Sequence, residues 1–155
     1  MLRQIVVVVL FALVTLALMP LQWLAIAVKS PLRRSIPVFY HRFLCGLLGI
    51  RVRCAGAPAQ VRPLLIVANH SSWLDISIIT AQAPVVFVAK SEIARWPFFG
   101  LLAKLQRTVF VERDRRQKTG EVNAVIAQHL AAGDPVLLFG EGTAGDGNQI
   151  GRAHV

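Results

Sequence analysis

Hydrophobic positions along this chain fall into two regimes. From Ile5 to Val28 they are nearly continuous: 24 residues carry no charge, and Thr15, Pro20 and Gln22 are the main interruptions. As a helix the stretch would reach about 36 Å, against a hydrocarbon core of about 30 Å. A secretory signal would have a shorter apolar run and a small-residue cleavage site after it. Here the run ends in Lys29-Ser-Pro-Leu-Arg33-Arg34. The pattern predicts a membrane helix with its basic end on the cytoplasmic side. Pro20 leaves two forms open, a clean span and a kinked, dipping hairpin. From Ile36 to Ile50, Phe39, Tyr40, Phe43, Leu44, Leu47 and Leu48 interleave with His41 and Arg42. That suits an interfacial amphipathic helix, with a plain core helix equally open.

After Arg51 the apolar runs become short and alternate with helical patterns. Residues 64–68, 85–89, 108–111 and 136–139 read as strands, and Gly56-Ala-Pro58 as a turn before the first. Residues 73–81, 97–105 and 119–132 read as helices, the last with Val122, Val125, Ile126 and Leu130 on one face and Gly133 as its stop. Continuous apolar strands between helices predict an α/β fold. The expected architecture is a mixed, largely parallel sheet flanked by helices and preceded by the N-terminal membrane helix. The domain reading is an anchor with interfacial helix at 1–50 and an incomplete α/β domain at 51–149. Residues 150–155 read as a non-native tail, with the natural chain expected to continue, and Arg152 and His154 are set aside with them.

Composition sharpens the membrane reading. Hydrophobic residues make up 55% of the 155, and the formal net charge is +9. No Asp or Glu precedes Asp75, whereas Arg3, Lys29, Arg33, Arg34, Arg42, Arg51, Arg53 and Arg62 do. Basic residues beside an apolar span suit an anionic lipid surface, at about 1 kcal/mol each. Nucleic acid is the rival partner and is not expected, because these charges adjoin an apolar span rather than a polar recognition helix. Cys45 and Cys54 lack metal-ligand spacing and read as reduced thiols.

Three segments carry chemistry, each at the carboxyl end of a predicted strand, where α/β sheets place their sites. The first is Asn69-His70-Ser-Ser-Trp-Leu-Asp75. Across such a turn Asp75 can hold one ring nitrogen of His70 and leave the other to take a proton from an alcohol; a helix-capping His is the plain alternative. The second is Thr108-Val-Phe110-Val-Glu-Arg113, which ends in a planar fork for phosphate or carboxylate. Alone, Arg113 to Arg116 is a solvated turn. The third is Phe139-Gly140-Glu141-Gly142-Thr143, a glycine-bearing exit that allows close backbone approach to a ligand.

In this order, His-x4-Asp, Phe-x-x-Arg and Glu-Gly-Thr resemble the sequence blocks of the glycerolipid (1-acyl-glycerol-3-phosphate) acyltransferase family. The resemblance covers about residues 30–149 and includes Ala89-Lys90-Ser-Glu92 and Trp96-Pro97-Phe-Phe-Gly100. It implies that His70 and Asp75 are catalytic, and that Arg113, Phe110, Glu141, Gly142 and Thr143 bind the acceptor. It also implies an acyl-CoA or acyl carrier protein donor and a lysophospholipid acceptor. The sequence shows no metal-ligand cluster and no nucleotide-phosphate loop, so no metal and no bound cofactor beyond the acyl donor is expected. Two departures stand out: Gly140 replaces the usual Pro, and Arg107 replaces a frequent Gly. The second, with Gly145-Asp146-Gly147-Asn148, is similar to a lyso-ornithine lipid acyltransferase subgroup. The acceptor expected first is 1-acyl-glycerol-3-phosphate, with lyso-ornithine lipid as the alternative. Rival classes are a serine hydrolase using Ser71 or Ser72, which lacks the Gly-x-Ser-x-Gly elbow, and an inactive membrane-bound fragment or binding module.

Overall fold

The computed structural model describes residues 1–57, 59–112 and 119–140. It forms two compact units. The first contains α1 (Leu2–Ala27), α2 (Leu32–Leu48) and the part of α3 (Leu74–Gln82) from Ile76 onward. α1 runs unbroken through Pro20 and has the length and composition to cross a membrane. α2 folds back on it. Thr15 Oγ1 lies 2.9 Å from the Tyr40 hydroxyl, and Gln22 Nε2 donates to the Arg33 carbonyl at 3.1 Å, two contacts in one antiparallel register. Thr15, Gln22 and Ala25 are the buried positions of α1, while Val8, Leu13, Leu16, Leu21 and Trp23 are exposed. The helix thus turns its few polar side chains to a partner helix and its apolar surface outward, as lipid demands.

α2 begins four residues before the sequence expectation and ends at Gly49, whose φ of 74° makes a left-handed cap. Its polar residues are engaged by α3. His41 Nδ1 sits 3.1 Å from Ser77 Oγ, and Arg42 Nε donates to the Ala81 carbonyl at 2.7 Å. His41, Leu44 and Cys45 are buried, so α2 is a packed helix along that side.

The second unit holds β1 (Leu65–Ala68), β2 (Val86–Lys90), α4 (Phe99–Leu105), β3 (Val109–Val111), α5 (Thr119–Ala131) and β4 (Val136–Phe139). The strands form one sheet in the order β1-β4-β2-β3, and every described pairing is parallel. β4 lies between β1 and β2: Val136 N–H donates to the Leu64 carbonyl and Val86 N–H to the Pro135 carbonyl. Val86, Val109 and Val136 form a core cluster with Val88, and Ile126 and Leu130 of α5 pack on it. Val125, expected on that apolar face, is exposed. Strand alternation puts Phe87, Leu137 and Phe139 on the other face, and the Phe87 and Phe139 rings stack at 5.8 Å. Because all four strands run the same way, their carboxyl ends share one edge of the sheet.

Candidate active site

His70 lies two residues past β1, on that edge. The following turn is built by its own serines. Ser72 Oγ accepts the Leu74 N–H at 3.2 Å, and the Ser72 carbonyl accepts the Asp75 N–H at 3.0 Å, which starts α3. Asp75 therefore sits in the first helical turn, where a carboxylate is favoured. Its Oδ2 reaches back across the turn to three donors: Ser71 N–H at 2.8 Å, Ser72 N–H at 2.9 Å and His70 Nδ1 at 3.0 Å.

Burial pushes the Asp75 carboxyl up, but the Ser72 amide, the His70 ring and the Ser71 amide outweigh it and hold it below the ordinary carboxylate range. A carboxylate can only accept, so Nδ1 carries a proton, and in the neutral ring Nε2 keeps its lone pair. The ring is steadied from a second side by Phe139, stacked at a centroid distance of 4.1 Å and an interplanar angle of 19°. The His70 and Asp75 side chains are 19% and 17% exposed, open enough to meet a substrate. A neutral imidazole with a fixed tautomer and a free Nε2 is a general base.

This is the contact expected of the first sequence block. The acyltransferase family model matches residues 51–154. The chain belongs to the acyltransferase family. Over 148 residues, 96% of this chain and 55% of the relative, it is 46% identical to a lyso-ornithine lipid O-acyltransferase of Brucella abortus. A relative of the same name from Rhizobium meliloti is 49% identical over 141 residues, 91% of this chain and 48% of the relative. A 1-acyl-sn-glycerol-3-phosphate acyltransferase of Neisseria gonorrhoeae is 37% identical over 94 residues, 59% of this chain and 37% of the relative. The chain spans about half the length of the first two relatives. No solved structure matches it. The apolar surface of α1 and these lipid acyltransferase relatives mark the chain as membrane-associated.

The remaining residues expected of an acyltransferase site divide two ways. Arg113, Glu141, Gly142 and Thr143 lie outside the described residues, as do Gly145 to Asn148. Phe110 is half-buried in β3, paired in register with Ala89. Among the described strands β1 and β3 lie at opposite ends of the order, so three strand spacings, about 14 Å, separate Phe110 from the dyad's side of the sheet. Phe139, the stacking platform of His70, was not singled out as a site residue from the sequence. Its signal is the register of β1 and β4, which sets Ala68 opposite Phe139.

Both departures from the acyltransferase pattern have a structural account. Gly140 N–H reaches the Ala68 carbonyl at 3.3 Å, a bond that a proline lacks the hydrogen to make. Arg107 adopts φ 62°, the left-handed region that favours glycine. Its guanidinium grips the Asp134 carboxylate at 2.6 and 3.3 Å, and His129 Nδ1 lies 3.2 Å from the same carboxylate. Asp134 is 2% exposed. The cluster stands at the amino ends of β3 and β4, the edge away from His70, so Arg107 ties strands together and is no acceptor ligand.

Proposed function

We propose that this chain belongs to an O-acyltransferase that esterifies the free hydroxyl of a lysolipid, with His70 as general base and Asp75 as its orienting partner. The observation that carries this reading is the His70 Nδ1–Asp75 Oδ2 hydrogen bond, 3.0 Å, which leaves Nε2 as the available base. Nε2 takes the hydroxyl proton as the oxygen attacks the thioester carbonyl of acyl-CoA or acyl carrier protein. The tetrahedral intermediate collapses, the carbon–sulfur bond breaks, and the imidazolium returns the proton to the departing thiolate. The ionised Asp75 stabilises that imidazolium while it exists. The amides of Ser71 and Ser72 are committed to Asp75, so the oxyanion takes its donors from elsewhere. Positioning of the two substrates supplies the larger share of the rate. Arg113 and the Glu141-Gly142-Thr143 segment are assigned to the acceptor head group on the family blocks.

The proposed acceptor is lyso-ornithine lipid, because the relatives bearing that name match more of this chain at higher identity than the glycerophosphate relative does. Lysophosphatidic acid, first in the sequence reading, is the second reading and is favoured by the Neisseria relative. The proposed location of the catalytic unit is the cytoplasmic side, a reading supported by Lys29, Arg33 and Arg34 after the apolar span. The test offers labelled acyl donor and both lysolipids to the full-length protein in membranes lacking their own acyltransferases. Product from lyso-ornithine lipid supports the proposed acceptor. Product from lysophosphatidic acid alone replaces it and keeps the dyad. No product from either, in folded protein, sinks the reading.

A further inference from the structure

The segment leaving β2 presents more apolar surface than the described part of the chain covers. A short 3-10 turn, Ser91–Arg95, leads into α4, and between and along them Trp96 (57%), Phe98 (42%), Phe99 (58%) and Leu101 (47%) are exposed. The backbone is held in this shape at a cost. Phe98 has φ 60° and ψ −58°, a region costing a non-glycine residue about 1–3 kcal/mol. The turn is fixed by Phe99 N–H on the Pro97 carbonyl at 2.6 Å and Gly100 N–H on the Trp96 carbonyl at 2.9 Å. A Cβ at Gly100 would stand 2.6 Å from the Ala94 carbonyl oxygen, so nothing larger than glycine fits there. The strained turn leaves the Phe98 ring edge-on to Phe99 and half in solvent within the described chain.

We propose that Arg95–Lys104 docks on an anionic lipid bilayer, with Trp96, Phe98, Phe99 and Leu101 entering its interfacial layer and Arg95 and Lys104 meeting lipid phosphates. Aromatic rings beside Lys and Arg are the composition that membrane interfaces select. Arg95 and Lys104 are exposed, and no acid occurs between Glu92 and Glu112. Lys90, Arg95 and Lys104 outweigh Glu92, so the charge matches an anionic surface. The segment starts at the carboxyl end of β2, the sheet edge from which His70 also leaves, and α4 then runs back towards the amino end of β3. A bilayer met there would present a lysolipid hydroxyl on the base's side of the sheet. The proposal rests on the lipid-acyltransferase reading only for that last consequence.

The test reconstitutes the full chain in phosphatidylcholine vesicles with and without phosphatidylglycerol, with Trp23→Phe and Trp73→Phe leaving Trp96 as the fluorophore and circular dichroism confirming the fold. Docking predicts a blue-shifted Trp96 emission, quenched by lipids brominated near the head group and little affected by aqueous acrylamide. It also predicts stronger bromolipid quenching with phosphatidylglycerol, a difference lost in Arg95→Gln/Lys104→Gln. Trp96 quenched by acrylamide and untouched by brominated lipid would overturn the proposal. So would shielding from both, which would give the patch to another protein surface. Quenching is read without turnover: a chain that docks but transfers no acyl group refutes the function alone, and an active chain with Trp96 in water refutes the docking alone.

Discussion

Asp75 Oδ2 takes three hydrogen bonds at once, two from backbone amides and one from the base it orients. Replacing Asp75 by Asn keeps the size of the group but offers His70 an amide that can donate, which favours the wrong tautomer. Steady-state assays of Asp75→Asn should show kcat down by about 10²–10⁴-fold, the usual worth of general-base catalysis, with acceptor KM little changed. The same carboxylate links folding to pH. Its pKa is lowered in the folded chain, so its stabilising contribution is whole above the ordinary carboxylate value of about 4 and is lost as pH falls through the lower folded value. Thermal melts of the parent and Asp75→Asn should therefore differ at neutral pH and converge only below about pH 4. The His70–Asp75 contact was legible in the sequence because the two lie five residues apart across one turn. Phe139 was not, since its place beside His70 depends on β4 pairing with β1, a long-range choice that local pattern does not encode.

Every strand and helix after Arg51 appears where the alternation of apolar runs put it, within about two residues, the ordinary uncertainty of element ends. The exception is Ser91–Arg95, a 3-10 turn with no apolar period of its own. Strand order was hidden for the same reason as the Phe139 contact. Between elements, two polar ties carry specific weight. In α1, Thr15→Val deletes the hydroxyl that meets Tyr40 and should weaken the α1–α2 pairing by about 0.6 kcal/mol, the average for such bonds between membrane helices; detergent unfolding of the two forms measures it. Between β3 and β4, Arg107→Ala removes the guanidinium from a buried carboxylate and should cost about 3 kcal/mol. His129 remains beside Asp134 and keeps the loss at the lower end. Denaturant titration checks it, and the residual activity of folded variant should stay near the parent's, because this cluster lies on the edge away from His70.

As a molecule, the chain combines a long apolar helix with a unit built on a parallel sheet. Carbonate or high-salt washing of membranes should leave it in the pellet, and detergent should release it, since the exposed face of α1 is apolar rather than charged. Recovery in the wash would show attachment by charge alone. The tie at Arg107 also bears on how such chains diverge. A glycine at position 107 accepts the left-handed backbone without strain and makes no demand on position 134. An arginine there holds the same angle but calls for the acid opposite it. Once the arginine solution is adopted, changing one site alone opens a gap in fitness that only a change at the other can close. Across homologues, positions 107 and 134 should therefore have drifted as a pair, and counting their joint residue frequencies in an alignment would reveal it.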